Sequence, residues 1–116
     1  MNPGLLMPNS TQVPDVILDV WMPLMTGAEF KVVCYIARHT YGWRKASDRI
    51  SLAQLCKGVK RQDGTPLDHG TGLSESQAYL ALKPLVLAGV LFKDARPRKD
   101  GGDQAARYGL RLDQEL

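Results

Sequence analysis

Residues 39–58 read HTYGWRKASDRISLAQLCKG, and within them Arg44, Lys45 and Arg49 crowd behind a Tyr-Gly-Trp turn that leads into a helix start. Cations gathered this way serve one chemistry above others, the neutralisation of a polyanion such as a phosphate backbone. The 116 residues carry 15 Lys+Arg against 12 Asp+Glu, so a net charge of +3 decides little and the distribution decides more. Arg38 to Arg61 holds seven basic residues against the single acid Asp48, and Lys93 to Arg111 holds six against three. The rest of the chain is net acidic. Two basic segments on a nearly balanced chain point to a polyanion-facing surface, with a merely solvated loop as the plain alternative.

Other chemistries find little support. His39 and His69 stand apart from any cysteine or acid cluster at ligand spacing, so no metal site is expected. Asp15 and Asp19 share a helical face, but nothing nearby would raise one of them for acid–base work. The GTGLS stretch at Gly70–Ser74 lacks the lysine and the spacing of a phosphate-cradling loop. No nucleophile–base arrangement is legible, and neither an enzyme nor a cofactor is expected. Cys34 and Cys56 lie in apolar helical patterns and read as free thiols of a reducing compartment. The N-terminus shows no basic-then-apolar leader, and the longest apolar run, PLVLAGVLF, is too short to span a bilayer. A soluble, cytoplasmic protein without membrane contact is expected.

Elements must position the cations. A chain of this length, 44% hydrophobic, makes one domain with a core of its own. It is expected over residues 13–112, after an extended segment 1–12 and before a short tail 113–116. The capping-box pattern, Ser or Thr followed three residues later by Glu or Gln, occurs at Thr26–Glu29, Ser51–Gln54 and Ser74–Gln77, each opening an apolar run. Helices are therefore predicted from Gly27 to Thr40, from Ser51 to a stop at Gly58, and from Glu75 to Ala88. Phe30, Val33, Cys34 and Ala37 share the inner face of the first, and Ala78, Ala81, Leu82 and Leu85 that of the third. A brief helix over Asp15–Trp21 should end at Pro23. Pro84 should kink the third helix near Leu80–Lys83 or force it to restart.

Beyond Gly89, VLFKDAR and ARYGLRL read as strands joined by a Pro/Gly-rich tip, and Asp48–Ser51 as a short extended segment. Asp63-Gly64 suggests a small hairpin between the second and third helices. The expected class is mainly α with a small β-hairpin, a single-domain winged helix-turn-helix.

That architecture nominates residues. The outer face of the third helix offers Ser76, Leu80 and Lys83, flanked by Gln77 and Tyr79, for groove contact. Arg96, Arg98 and Lys99 near the hairpin tip, with Arg107 on the returning strand, are expected on phosphates. Arg44, Lys45, Arg49, Lys60 and Arg61 are expected to position the backbone, with an ion pair of Arg49 to Asp48 or Glu29 as the rival. Tyr41 and Trp43 read as core plugs in preference to stacking platforms, and Gly42 as the residue that permits the turn.

The stretch TQVPDVILDVWMPLMTGAEFKVVCYIARHTYGWRKASDRISLAQLCKG, followed by LDHGTGLSESQAYLALKPLVLAGVLF, resembles the N-terminal winged-helix domain of phage replication proteins of the replication protein O type. The resemblance spans about Thr11 to Phe92 and rests on the Q-x-P entry, AEFKVVCYIARHTYGW, DRISLAQL and GTGLS. Glu75, Leu80 and Pro84 depart from the basic or hydroxyl-bearing pattern usual in the third helix. The resemblance implies duplex DNA binding in replication initiation of a phage, prophage or plasmid-like element, with the third helix as the reader. A helicase-loading protein and self-association are the partners it implies. A winged-helix transcription regulator shares every local signal. A protein-interaction module that has lost the DNA is the third reading, suggested by outward Tyr79, Leu80 and Leu87.

Overall fold

Hydroxyl side chains open all three main helices. In the computed structural model, which describes residues 9–94 and 106–111, α1 spans Gly27–Thr40, α2 Leu52–Lys57 and α3 Glu75–Leu87. The Thr26 hydroxyl accepts from the Glu29 backbone N–H at 3.1 Å, and the Glu29 carboxylate accepts from the Thr26 N–H at 2.8 Å. Ser74 and Gln77 repeat this reciprocal pair at α3. Ser51 accepts from the Gln54 N–H at 3.0 Å, while the Gln54 side chain engages the Tyr35 hydroxyl. Each cap satisfies amides that have no partner inside the helix and contributes about 1 kcal/mol.

Ahead of α1, the expected Asp15–Trp21 helix contains a π-helical turn, Ile17–Trp21, and a 3₁₀ turn, Met22–Leu24, follows it directly. Pro23 does not end the segment as expected. It sits in the first turn of the 3₁₀ piece, where its missing N–H would have no intrahelical partner anyway. Ile17 and Trp21 are buried and bring this segment onto the core.

The inner side of α1 is broader than the expected stripe. Val32, Val33, Tyr35, Ile36, Ala37, His39 and Thr40 are buried, while Phe30 and Cys34 are half-buried. α1 therefore runs through the centre, packed on α3 and on the sheet. α3 buries Ala78, Ala81, Leu82 and Leu85 as expected, and each buried leucine contributes about 2 kcal/mol. No restart occurs at Pro84, and α3 is one helix throughout. Leu80 and Pro84 both lie on its exposed side, so water can reach the carbonyl that proline leaves without a donor.

The hairpin expected from the sequence is part of a three-stranded antiparallel sheet in the order β1-β3-β2, with β1 Asp48–Ile50, β2 Leu91–Asp94 and β3 Ala106–Leu110. The extended Asp48–Ser51 segment thus becomes an edge strand. Register sets Ile50 opposite Ala106 and Leu91 opposite Leu110. With side chains alternating, these face the helices together with Asp48, Tyr108 and Lys93. Arg49, Arg107 and Asp94 fall on the other face.

The connection from α2 to α3 is long for a helix-turn-helix, yet its ends are drawn together. The Thr71 N–H and hydroxyl both donate to the Leu55 carbonyl at 2.9 Å, and the Gly72 N–H donates to that of Cys56 at 3.1 Å. The rest is an excursion closed by the Lys60–Pro66 bridge, with the expected Asp63-Gly64 turn at its tip. There Asp63 accepts from the Thr65 N–H and hydroxyl, which hold its carboxyl below the ordinary value. Gly58 ends α2 at φ +89°, and a Cβ there would collide with the Asp68 backbone.

Candidate nucleic-acid interface

The nominated face of α3 is displayed. Ser76, Gln77, Tyr79, Leu80 and Lys83 are all exposed, Tyr79 to 56% and Leu80 to 68%. The helix behind them is anchored by its buried alanines and leucines, so the face is carried on a rigid element. Gln77 has less freedom than its type suggests, because its side-chain oxygen accepts from the Ser74 N–H at 3.0 Å. While that bond holds, a bidentate pairing to adenine, which needs both amide atoms, is unavailable to it.

The basic turn takes its form from backbone constraints. The Lys45 N–H donates to the Thr40 carbonyl at 2.8 Å, folding the chain back on the end of α1. Arg44, not Gly42, carries the unusual backbone, in the left-handed region at φ 56° and ψ 41°. Gly42 is needed for space instead. A Cβ there would lie 2.8 Å from Nη1 of Arg38 and 2.9 Å from the Thr11 hydroxyl oxygen. Arg44, Lys45 and Arg49 are exposed, with Lys45 Nζ 3.4 Å from Asp48. Asp48 engages Lys45, and the Glu29 carboxylate caps α1.

The structure brings part of the second basic segment to the first. Arg49 on β1 stands directly opposite Arg107 on β3. The Arg107 guanidinium donates to the Ser47 hydroxyl at 3.0 Å, tying β3 to the basic turn. Lys60 and Arg61 lie on the excursion, and Arg61 donates to the Pro66 carbonyl at 2.9 Å, so part of its donor capacity is used internally. Arg96, Arg98 and Lys99 lie outside the described residues. Lys93 was not nominated, yet it lines a groove of about 480 Å³ between α3 and the sheet together with Tyr79, Lys83, Leu87 and Tyr108. Its ammonium is 6.0 Å from the centre of the Tyr108 ring.

Two expectations need correction. Tyr41 is half-buried against the core, but Trp43 is 48% exposed and is no core plug. Its indole lies under the Arg38 guanidinium, 5.1 Å from the ring centre, an arrangement held by attraction between the cation and the π face. His39 is not isolated from acids. It is 5% exposed, with Nε2 2.8 Å from Asp68 and Nδ1 3.8 Å from Asp48. The Tyr35 hydroxyl donates to the same Asp68 oxygen at 3.2 Å, and the two rings are 4.5 Å apart. Burial pushes the Tyr35 phenol well above its ordinary value, and the Asp68 carboxylate adds to the shift. Asp68 pins the α2–α3 connection to Tyr35 and His39 of α1.

Both cysteines are free, Cys56 buried and Cys34 half-buried, and burial raises both thiols. Among the described residues no cluster of three or more His, Cys, Asp or Glu side chains could hold a metal ion, and no helix is long and apolar enough to cross a membrane.

A family model described as bacteriophage replication protein O matches residues 11–104. No curated protein and no solved structure matches the chain. The family match takes in all three helices, β1 and β2, and the basic turn, and by it the chain belongs to the bacteriophage replication protein O family.

Proposed function

We propose that the chain binds duplex DNA during initiation of phage replication, as a winged helix-turn-helix in which α3 enters the major groove. The observation that carries this reading is α3 itself. It is capped, packed along one side and tied at its start through the GTG turn, while Ser76, Tyr79, Leu80 and Lys83 stay exposed on its outer face. The strand order β1-β3-β2 is compatible with such a fold and so supports the reading. Arg44, Lys45, Arg49 and Arg107 then supply phosphate contacts around the edge of the sheet, with Arg96, Arg98 and Lys99 at the wing. Ser76 and Lys83 are the base-edge candidates. Leu80 supplies apolar contact of the kind that meets a thymine methyl. The domain is taken as residues 13–112, working in the cytoplasm without a cofactor. Self-association on repeated target sites and contact with a helicase-loading protein are the partnerships this role calls for.

A second reading, a protein-docking module without DNA, draws on one observation: Tyr79, Leu80 and Leu87 leave a wide apolar area on α3. Fluorescence anisotropy of a mixed-sequence duplex at several salt concentrations separates the two. Binding should weaken steeply with salt, and Arg96→Ala/Arg98→Ala/Lys99→Ala should flatten the slope. Absence of binding at low salt, with a mass that grows with protein concentration, would favour the second reading.

A further inference from the structure

Trp43 is a large aromatic side chain left half in water, in a chain with apolar core to spare. Its position is arranged rather than incidental. Gly42 has no side chain to obstruct Arg38, and the Arg38 guanidinium lies over the indole. The same indole lines a concavity of about 340 Å³ whose other walls include Lys45, Asp48, Arg49 and Gln54. An aromatic plane and two cations around one concavity match the needs of a nucleotide removed from a base stack. The base finds the face of the indole that Arg38 does not cover, and the phosphates find positive charge. Asp48 lies in the same wall, with its carboxylate 3.4 Å from the Lys45 ammonium, and Arg49 adds a second cation.

We propose that this concavity binds single-stranded DNA, with one unpaired base stacked on Trp43 and the flanking phosphates held by Lys45 and Arg49. DNA is chosen over RNA because the family acts in phage replication, where strands must separate. The site is distinct from the α3 face, although Lys45 and Arg49 are shared with the duplex contacts. Trp43 belongs to this site alone, and it is therefore the residue to change.

Oligo-dT titrated into the wild-type chain should quench tryptophan fluorescence, since Trp43 is open and Trp21 is buried. Trp43→Leu should lower oligo-dT affinity about tenfold, whereas Trp43→Phe keeps a stacking face and most of the affinity. Duplex affinity should be the same in both variants and the wild type, so failure of duplex binding and failure of this site are read separately. The proposal is overturned if oligo-dT leaves the fluorescence unchanged, or if Leu and Phe variants bind it alike. Tighter binding of oligo-rU would overturn the assignment to DNA. Should Trp43→Leu not fold, oxidation of wild-type Trp43 by N-bromosuccinimide tests the same contact: protection by oligo-dT supports it and its absence refutes it.

Discussion

His39 on α1 and Asp68 in the α2–α3 connection meet with 2.8 Å between Nε2 and Oδ2, and this contact ties the connection to α1. Asp68 also accepts from the Tyr35 hydroxyl and, through its other oxygen, from the Gly70 N–H at 2.8 Å. One carboxylate thus gathers α1 and the turn that leads to the outer helix. Removing it leaves several half-buried donors without an acceptor. Asp68→Ala should cost about 2 kcal/mol in urea unfolding, and Asp68→Asn, which keeps an acceptor oxygen, distinctly less. Equal stability of the two variants would show that the acceptor is not what matters.

Much of the helical frame was legible before the structure because its signals are local. Thr26, Ser51 and Ser74 are the N-caps of α1, α2 and α3, and the inward residues of α3 follow the helical period. What escaped depends on contacts distant in sequence. His39 and Asp68 are 29 residues apart, and no spacing rule brings them together. The addition of β1 to β3, with Arg49 opposite Arg107, joins two basic segments that the sequence shows only as separate. Residue type alone favours a tryptophan inside, while the exposure of Trp43 rests on a stacked Arg38 and a neighbouring residue without a side chain. Arg44, and not the glycine two residues earlier, takes the left-handed backbone of this turn.

Alkaline pH should reveal the buried phenols. Burial raises Tyr35, Tyr41 and Tyr108 above the ordinary 10.0, so the folded chain keeps protons that the unfolded chain releases. Stability then falls as pH rises past about 10, because unfolding releases protons there. Below that value the phenols are neutral in both states and contribute no slope. Denaturant unfolding across pH 8 to 11 (roughly the range where tyrosine begins to ionise) should show the decline. Tyr35→Phe should lie lower on the plateau, having lost its bond to Asp68, yet decline less steeply. An unchanged slope in that variant would assign the decline to other groups.

Pro84→Ala should stabilise the chain. Alanine returns an N–H to the Leu80 carbonyl inside a helix that is already continuous. The gain is offset in part because alanine loosens the unfolded chain, leaving a net effect of about 1 kcal/mol. Thermal unfolding measures it, and a lower melting temperature would mean that the proline ring makes packing contacts worth more than the missing bond.

Arg44 allows stability and function to be separated at a single position. An L-residue in the left-handed region bears a steric cost of about 1 kcal/mol that glycine does not, and Arg44 sits there at φ 56°. Its side chain is exposed, so removing it takes little from the core. Arg44→Gly should therefore leave the fold as stable or more stable, with relief of strain set against the greater freedom of glycine in the unfolded chain. If the guanidinium grips a phosphate, the same change should weaken duplex binding and reduce the salt slope by about one contact. Urea unfolding and anisotropy on one preparation give both answers. A variant more stable and weaker in binding would explain why a strained arginine is kept where glycine fits. A variant unchanged in binding would remove Arg44 from the phosphate set and leave the basic turn to Lys45 and Arg49.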